Sequence, residues 1–252
     1  MVAARMSGSN PLADADYVRQ RLSPQPGDPF YLHLADLRAA VAGASEPQVA
    51  RLLDFGCGGS PYRSLFSARE YHRADLAGTP GVDFTFGPDS HLPRSVADYD
   101  LVLSTQVLEH VAQPAEYLAE CRRVLRPGGR LLLTTHGTFR DHNAPGDYQR
   151  WTADGLRLAV REAGFVIRRV QKLTTGPRAI LFLLGQHQVE LLSSEKSWGG
   201  LYLRLLRAPF RRWPAAFARF CDRAFSACQI VDAAKPGSTF YLGLLVEAVR
   251  PD

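Results

Sequence analysis

The stretch Arg51-Leu52-Leu53-Asp54-Phe55-Gly56-Cys57-Gly58-Gly59-Ser60-Pro61-Tyr62 joins a short apolar run to a glycine-rich turn. The apolar run predicts a buried strand, which ends in an acid at Asp54. Glycines at 56 and 58 permit a sharp turn whose backbone N–H groups can approach a ligand without interference from a Cβ. Two cofactor classes use such a turn, dinucleotides and S-adenosylmethionine. An ordinary strand-to-helix turn is the alternative, because a glycine-rich motif alone is a weak signal.

The residues around the turn favour S-adenosylmethionine over a dinucleotide. Pro61 occupies the position where a dinucleotide fingerprint needs Gly or Ala, so that the following helix can pack closely on the strand. The proline also delays the helix N-terminus that would hold a pyrophosphate. Asp54 would repel phosphates but would attract an ammonium group. S-adenosylmethionine carries an ammonium and a sulfonium and has no phosphate.

The next segments add further acids at strand ends. Residues 71–76 predict a second strand that includes Asp75, 21 positions after Asp54. A carboxylate at this spacing can accept hydrogen bonds from both ribose hydroxyls, although a solvated acid is the alternative. Residues 82–86 alternate apolar and polar as a third strand. Asp89 follows, where it either accepts from an adenine amino group or stabilises a turn.

Five ordered segments resemble class I S-adenosylmethionine-dependent methyltransferases, in particular the small-molecule group often called type 11. They are Leu-Asp-Phe-Gly-Cys-Gly (53–58), Arg-Ala-Asp-Leu (73–76), Pro-Asp-Ser-His-Leu-Pro (88–93), Tyr-Asp-Leu-Val-Leu-Ser-Thr-Gln-Val-Leu-Glu-His-Val (99–111) and Leu-Arg-Pro-Gly-Gly-Arg-Leu-Leu-Leu-Thr (125–134). The resemblance covers about residues 50–172 and resumes at the C-terminus. It departs from the family where Ser60-Pro61 replaces the third loop glycine.

The resemblance implies both a fold and a cofactor site. The implied fold is α/β, a Rossmann-like seven-stranded mostly parallel sheet with an antiparallel last strand and helices on both faces. The implied cofactor is S-adenosyl-L-methionine, with its methionine part near the glycine turn, its ribose at Asp75 and its adenine at Asp89 and Ser90. The cofactor-binding residues expected on this basis are Asp54, Gly56, Cys57, Gly58, Asp75, Leu76, Asp89, Ser90 and Gln106.

The acceptor is expected just after a fifth strand predicted over residues 131–135, because ligands of open α/β sheets bind beyond the carboxyl ends of the strands. The segment 142–152 matches a His-x-x-Pro-x-Asp-Tyr-x-Arg-aromatic-Thr signature of the same group. His142 is the candidate general base for a hydroxyl acceptor, and a loop histidine bonded to Asp147 is the alternative. Arg150 can pair with an acidic acceptor or with Asp147, and Tyr148 can form a wall of the pocket.

Residues near these motifs receive a structural interpretation. The pair Glu109-His110 invites an acid/base role, but a structural role is favoured because the resembled family commonly uses the pair in that way. Tyr17, Tyr31 and His33 could face the cofactor, although packing explains them more simply.

The chain divides into three parts. Residues 1–48 predict an N-terminal helical cap, with helices over 12–22 and 30–41. Residues 49–172 and 240–250 form the methyltransferase core. Residues 173–239 form a helical basic insertion, in which apolar residues alternate with Arg204, Arg207, Arg211, Arg212, Arg219 and Arg223.

Three interpretations of the insertion compete. The insertion is a lid, or it is a dimer element, in which case the protein is a homodimer. Alternatively, its segment 196–225 contacts an anionic membrane and gives access to a lipid-linked acceptor. Nucleic-acid binding is disfavoured, because no RNA-binding module or aromatic-basic strand motif is present.

Composition fits an ordinary globular protein. The 252 residues include 46% hydrophobic and 22% charged residues, and the net charge is +5. The four cysteines lack metal or redox spacing, so free thiols and no metal are expected. The absence of a basic-then-apolar leader and of an apolar run of about 20 residues predicts a cytoplasmic protein, peripheral at the inner membrane face if the insertion contacts lipid.

The resulting hypothesis is S-adenosylmethionine-dependent methyl transfer to a small-molecule or glycan acceptor, with oxygen as the favoured acceptor atom. A non-catalytic binding partner with the methyltransferase fold is the alternative from a different class. A nicotinamide-dependent oxidoreductase is disfavoured by Pro61.

Overall fold

The computed structural model describes residues 15–45, 48–142, 146–191, 212–235, 237 and 239–252. The strands are β1 Val49–Phe55, β2 Ala68–Leu76, β3 Phe84–Phe86, β4 Tyr99–Thr105, β5 Leu125–His136, β6 Val166–Thr175, β7 Ile230–Asp232 and β8 Tyr241–Val249. The helices are α1 Ala15–Leu22, α2 Tyr31–Ala44, α3 Pro114–Val124, α4 Ala153–Glu162, α5 Gly176–Leu191 and α6 Pro214–Ala224.

All the strands belong to one eight-stranded sheet in the order β3-β2-β1-β4-β5-β8-β6-β7. The strands β3, β2, β1, β4 and β5 are parallel, and β8 lies antiparallel between β5 and β6. The predicted α/β class and the antiparallel last strand are therefore confirmed. The strand number differs, since β7 adds an eighth strand at the edge by pairing antiparallel with β6. The sequence signal for β7 is weak because an edge strand of this length buries little.

The central strands are apolar because both of their faces are covered. Leu52, Leu53 and Phe55 of β1 are fully buried. One face of the sheet packs against α3 and α4 through a cluster that includes Leu53, Val102 and Leu131. The other face packs against α2 through a cluster that includes Leu37 and Leu52.

Local signals set several element boundaries. Thr152 caps α4, because its hydroxyl accepts a hydrogen bond from the Gly155 N–H at 3.0 Å. Helix α3 ends at Val124, because Leu125 already pairs with Tyr99 as part of β5. Strand β6 continues to Thr175, into the segment expected to begin the insertion.

A buried ionic cluster joins the insertion to α2. The side chain of Arg178 on α5 is fully buried, and its Nε and Nη2 donate to Asp36 at 2.8 and 3.0 Å. The Arg178 Nη1 also lies 2.9 Å from Asp222 of α6. Asp36 accepts a further hydrogen bond from Thr174 Oγ1 at 2.8 Å. The first helix of the insertion is therefore anchored to the cap helix that borders the cofactor end of the sheet.

The structure describes three of the six arginines named in the insertion. Arg212, Arg219 and Arg223 are exposed on or beside α6, whereas Arg204, Arg207 and Arg211 lie outside the described residues. Within the described ranges, no helix has both the length and the apolar character needed to span a bilayer.

Candidate active site

A cavity of about 690 Å³ opens at the carboxyl ends of the central strands. The glycine turn after β1, the ends of β2, β4 and β5, and the segment that follows β5 surround it, and α1 and α2 close it. Its lining includes Gly56, Asp75, Gln106, His136 and His142, so the predicted cofactor and acceptor regions share one space. This is the position at which open α/β sheets bind their ligands.

The glycine turn requires glycine at its first position. Gly56 has a φ of 76°, and a Cβ there would lie 2.6 Å from Cγ2 of Val107. Gly58 also has a positive φ, 49°, and its N–H donates to Asp75 Oδ2 at 2.5 Å. The turn is therefore shaped by the end of the neighbouring strand as well as by its own sequence.

Asp75 occupies the wall of the cavity at the end of β2. Its Oδ1 accepts the Leu76 N–H at 2.7 Å, so hydrogen bonds from the backbone hold both carboxylate oxygens in a fixed orientation. Cys57 and Leu76 also line the cavity. Burial raises the pKa of the Cys57 thiol to about 12, so this cysteine is neutral and unreactive near pH 7.

Asp54 and Asp89 do not line the cavity. The Asp54 carboxylate is buried beneath the turn, where it accepts the Tyr71 hydroxyl at 2.6 Å, and burial raises its pKa to about 6. Asp89 is exposed and accepts the His91 N–H at 3.3 Å, whereas its neighbour Ser90 does line the cavity. The structure therefore separates these two acids from the other residues of the predicted cofactor set.

Gln106 follows β4 and projects into the same space. Its φ of 56° is unusual for a residue with a side chain, and its backbone N–H donates to the Thr134 carbonyl at 3.0 Å. Its Oε1 is buried without a hydrogen-bond partner. A strained residue with an unpaired acceptor is typical of a ligand site.

Four histidines line the cavity: His33, His110, His136 and His142. The ring centroids of His136 and His142 are 4.9 Å apart, and those of His33 and His136 are 5.4 Å apart. His136 also stacks on Phe139 at 4.1 Å. The sequence favoured His142 as the candidate base and gave His110 a structural role, because the four histidines share no local spacing. His33 was assigned to packing, yet it also contributes to the cavity.

Glu109 lies directly behind these histidines. Its side chain is fully buried, with Oε2 accepting from Thr135 Oγ1 at 2.8 Å and Oε1 lying 3.3 Å from His136 Nε2. Burial raises the pKa of Glu109 to about 7 and lowers the pKa of His136 well below its usual range. Glu109 follows β4 and His136 ends β5, which are adjacent parallel strands. That adjacency was the one sequence signal that could have brought the two residues together.

The segment after β5 is organised around Asp147. Arg150 donates to both of its carboxylate oxygens, at 2.5 and 2.6 Å, and these hydrogen bonds hold the Asp147 pKa well below its usual range. The backbone N–H of His142 donates to Asp147 Oδ2 at 2.9 Å, and His142 Nδ1 lies 3.4 Å from the same oxygen. Burial lowers the pKa of His142.

The predicted acceptor residues therefore have different positions. His142 and Tyr148 line the cavity, with Tyr148 61% exposed at its mouth. Arg150 does not line it, because its guanidinium is committed to Asp147 and to the carbonyls of Phe139 and Arg140. Arg150 thus orders the segment that carries His142.

Helix α1 forms the roof of the cavity through Tyr17 and Arg21. The Arg21 guanidinium carbon lies 3.4 Å from the centroid of the Tyr17 ring. Tyr31 is directed elsewhere and donates to Asp222 at 2.7 Å. Of the aromatic residues considered in the cap, Tyr17 and not Tyr31 therefore faces the site.

Comparison with known proteins identifies the class to which this fold and site belong. A family model described as a methyltransferase domain matches residues 30–170, more than half of the chain. The chain belongs to this family, the class I S-adenosylmethionine-dependent methyltransferases, and its cofactor class is S-adenosylmethionine as predicted.

Two named relatives are O-methyltransferases. The chain is 28% identical over 176 residues to the ubiquinone biosynthesis O-methyltransferase of Maricaulis maris, covering 54% of the chain and 66% of that protein. It is 34% identical over 100 residues to the Caulobacter vibrioides protein of the same name, covering 33% of the chain and 40% of that protein. The chain thus spans less than two thirds of the length of either relative.

Solved structures show the same fold at low identity. The [4+2]-cyclase SpnF superposes with a TM-score of 0.51 at 19% identity, over 88% of this chain and 82% of that one. This likeness concerns the fold alone. Because a cyclase shares the fold, the activity of this chain must be argued from its site.

Proposed function

We propose that this protein transfers the methyl group of S-adenosylmethionine to a hydroxyl group of a small-molecule or glycan acceptor. The observation that supports the proposal is that one cavity contains both the glycine turn with Asp75 and the histidines that follow β5. In the reaction the acceptor oxygen attacks the methyl carbon as the carbon–sulfur bond breaks, and S-adenosylhomocysteine leaves as a neutral thioether. Alignment of the two reactants in one closed space supplies much of the rate enhancement.

The hydroxyl proton needs an acceptor, and His142 is the residue that we assign to this role. Its ring lines the cavity, and its lowered pKa keeps it neutral near pH 7, as a base must be. Asp147, fixed by Arg150, lies beside Nδ1 and restrains the ring. Tyr148 at the mouth of the cavity would contact the part of the acceptor that faces solvent.

The names of the relatives support oxygen as the acceptor atom. Both of the proteins compared above are O-methyltransferases by name, and they match 54% and 33% of this chain. We therefore favour oxygen over nitrogen or carbon.

A second cavity supports an acceptor that carries an apolar group. Its volume is about 540 Å³, and it lies between the start of α2 and helices α5 and α6. It shares Phe30 and Arg140 with the first cavity, and its apolar lining includes Leu181, Phe182 and Phe217. An acceptor with a hydroxylated head and an apolar tail would fit this arrangement, as a lipid-linked substrate requires.

We also propose that α6 contacts an anionic membrane surface. Trp213 and Phe220 are 61% and 56% exposed beside the exposed Arg212, Arg219 and Arg223. Exposed aromatic rings next to arginines are typical of helices at a lipid interface. The protein would then work from the cytoplasmic side as a peripheral enzyme.

Flotation with anionic vesicles tests the membrane contact. The double substitution Trp213→Ala/Phe220→Ala should abolish flotation, while Leu158→Ala, which removes a 57% exposed apolar residue of α4, should not change it. Equal flotation of the two variants would reject the proposal. A shift from dimer to monomer in the double variant would instead identify this face as a homodimer interface.

Cofactor binding and turnover test the main proposal separately. Calorimetry should detect binding of S-adenosylmethionine and not of NAD, and a panel of hydroxylated acceptors should yield S-adenosylhomocysteine. The substitution His142→Ala should lower turnover by about 10²-fold or more without changing cofactor affinity, as expected for loss of a general base. Absence of cofactor binding would reject the proposal. Binding without turnover on any acceptor would favour a non-catalytic binding partner.

A further inference from the structure

We infer that Glu109, His136 and His142 bind one divalent transition-metal cation at the wall of the cavity. Each residue offers one ligand atom, and these atoms lie within 4.8 Å of one another. With metal–ligand bonds of about 2.0–2.1 Å, two tetrahedral ligands lie about 3.4 Å apart. The separation of His136 Nε2 from Glu109 Oε1, 3.3 Å, already has this value.

The unpaired atoms of the cluster point independently to a ligand. Glu109 is fully buried, yet its Oε1 has no hydrogen-bond partner, while Thr135 holds its Oε2. The buried Nδ1 of His142 is also without a hydrogen bond. A buried polar atom without a partner costs free energy, which a bound cation between the three side chains would recover.

A second combination, His110 with His142 and Asp147, is geometrically close but chemically committed. Arg150 already holds both oxygens of Asp147, and Nδ1 of His110 contacts the Gly146 carbonyl. Asp147 instead holds the segment that carries His142, because its Oδ2 accepts the His142 backbone N–H at 2.9 Å. Thr135 orients Glu109 through the hydrogen bond to Oε2, as groups behind a metal ligand commonly do.

The donor set defines the class of cation. Two imidazoles and one carboxylate favour Zn²⁺, Co²⁺ or Fe²⁺ over Mg²⁺ and Ca²⁺, which prefer oxygen ligands. Three protein ligands leave a coordination position open, which is typical of a catalytic site and not of a structural one. That position would border the cavity, because His136 and His142 line it. The sequence predicted no metal, because these ligands share no motif.

The role of the cation rests on the proposed function. The acceptor oxygen would bind the cation at its open coordination position, and the cation would lower the pKa of the acceptor hydroxyl. The proton would pass to water at the mouth of the cavity, the oxygen would bond to the methyl carbon, and the carbon–sulfur electron pair would return to sulfur. In this form of the mechanism His142 is a ligand, and the cation replaces it as the group that makes the hydroxyl acidic.

Metal titration of tag-free, chelator-treated protein tests the site. Calorimetry with Zn²⁺ and visible absorption with Co²⁺ should both show one cation per chain. Removal of a group that merely orients a ligand costs about 10–100-fold in affinity, so Glu109→Gln and His142→Ala should each cost at least about tenfold. His91→Ala is the matched control, since His91 is 59% exposed on another loop. Circular dichroism and cofactor affinity establish that each variant is folded.

The measurements distinguish failure of the cation site, of its catalytic role and of the proposed function. Absence of saturable binding, or equal binding by Glu109→Gln, His142→Ala and the unsubstituted protein, would overturn the site, as would loss of binding in His91→Ala. Equal rates of S-adenosylhomocysteine formation with and without cation would overturn its catalytic role and leave the proposed function intact. Cation binding without S-adenosylmethionine binding would support the site and reject the proposed function.

Discussion

The buried cluster around Arg178 should carry a large share of the stability of this fold. The substitution Asp36→Asn keeps the size of the side chain but removes the charge that faces the fully buried guanidinium. Asp36 accepts hydrogen bonds from Arg178 at 2.8 and 3.0 Å and from Thr174 at 2.8 Å. Loss of one partner of a buried ion pair costs about 3–5 kcal/mol, because the other charge stays buried. Asp222, 2.9 Å from Arg178, compensates in part, so we expect about 3 kcal/mol.

Urea unfolding followed by tryptophan fluorescence and circular dichroism measures this loss. For a chain of this length, about 3 kcal/mol corresponds to a fall in Tm of about 6–12 °C. The matched control is Asp154→Asn, which breaks an ion pair to Arg157 at 2.7 Å in which the Asp154 side chain is 93% exposed. Exposed pairs contribute about 0–1 kcal/mol, so this variant should unfold almost like the unsubstituted protein.

Two results would refute this reasoning. If Asp36→Asn lowered the free energy of unfolding no more than Asp154→Asn does, the cluster would not anchor the insertion. The double substitution Asp36→Leu/Arg178→Met supplies a second test, because replacing a buried ion pair by apolar residues is commonly neutral or stabilising. A double variant less stable than Asp36→Asn would show that packing, and not the unpaired charge, causes the loss.

Three further predictions concern the cofactor loop and the cap. Gly56→Ala should abolish detectable cofactor binding, because the new Cβ would lie 2.6 Å from Cγ2 of Val107. The double variant Gly56→Ala/Val107→Ala should bind the cofactor measurably. Equal cofactor affinity of the single and double variants in calorimetry would contradict the steric cause. Asp75→Ala should weaken cofactor binding by about 10–100-fold, as expected for lost charged hydrogen bonds, whereas the buried Asp54→Asn should change affinity less and thermal stability more. Burial and a hydrogen bond to a carboxylate raise the Tyr31 pKa to about 12, above its unfolded value near 10. The native state therefore keeps the Tyr31 proton to higher pH than the unfolded state does, so the free energy of unfolding should fall between pH 10 and 12. In urea unfolding, Tyr31→Phe should show a smaller fall over this range. An equal fall in the variant and the unsubstituted protein would contradict the prediction.

Much of the fold was predictable because its signals are local. The apolar runs of β1, β4 and β5, the glycines of the turn and the Thr152 cap each act within a few residues of sequence. The antiparallel position of the last strand came from family resemblance and is confirmed by the pairing of β8 with β5 and β6. Strand β7 was missed because it depends on pairing with β6 and has little apolar pattern of its own.

The candidate site was only partly predictable because its residues come from distant segments. Asp75 and Gln106, expected from the sequence at or just after strand ends, both line the cavity, and their contact with the cofactor stays a prediction. Asp54 was expected beside the cofactor, but the structure directs its side chain into the interior toward Tyr71. Strand alternation does not report such a direction at the end of a strand, where the chain turns.

The sequence by itself determined the class of protein and of cofactor, because five ordered segments, the glycine turn among them, resemble class I S-adenosylmethionine-dependent methyltransferases, and Pro61 disfavours a dinucleotide. Only the tertiary structure decided what faces that cofactor. Glu109 and His136 lie on adjacent strands that end at one edge of the sheet, and the Arg150–Asp147 pair holds His142 beside them. Helix α2, anchored by the buried Arg178, completes the enclosure with His33. Contacts of this kind depend on the packing of elements that are far apart in the chain, and no local pattern encodes them.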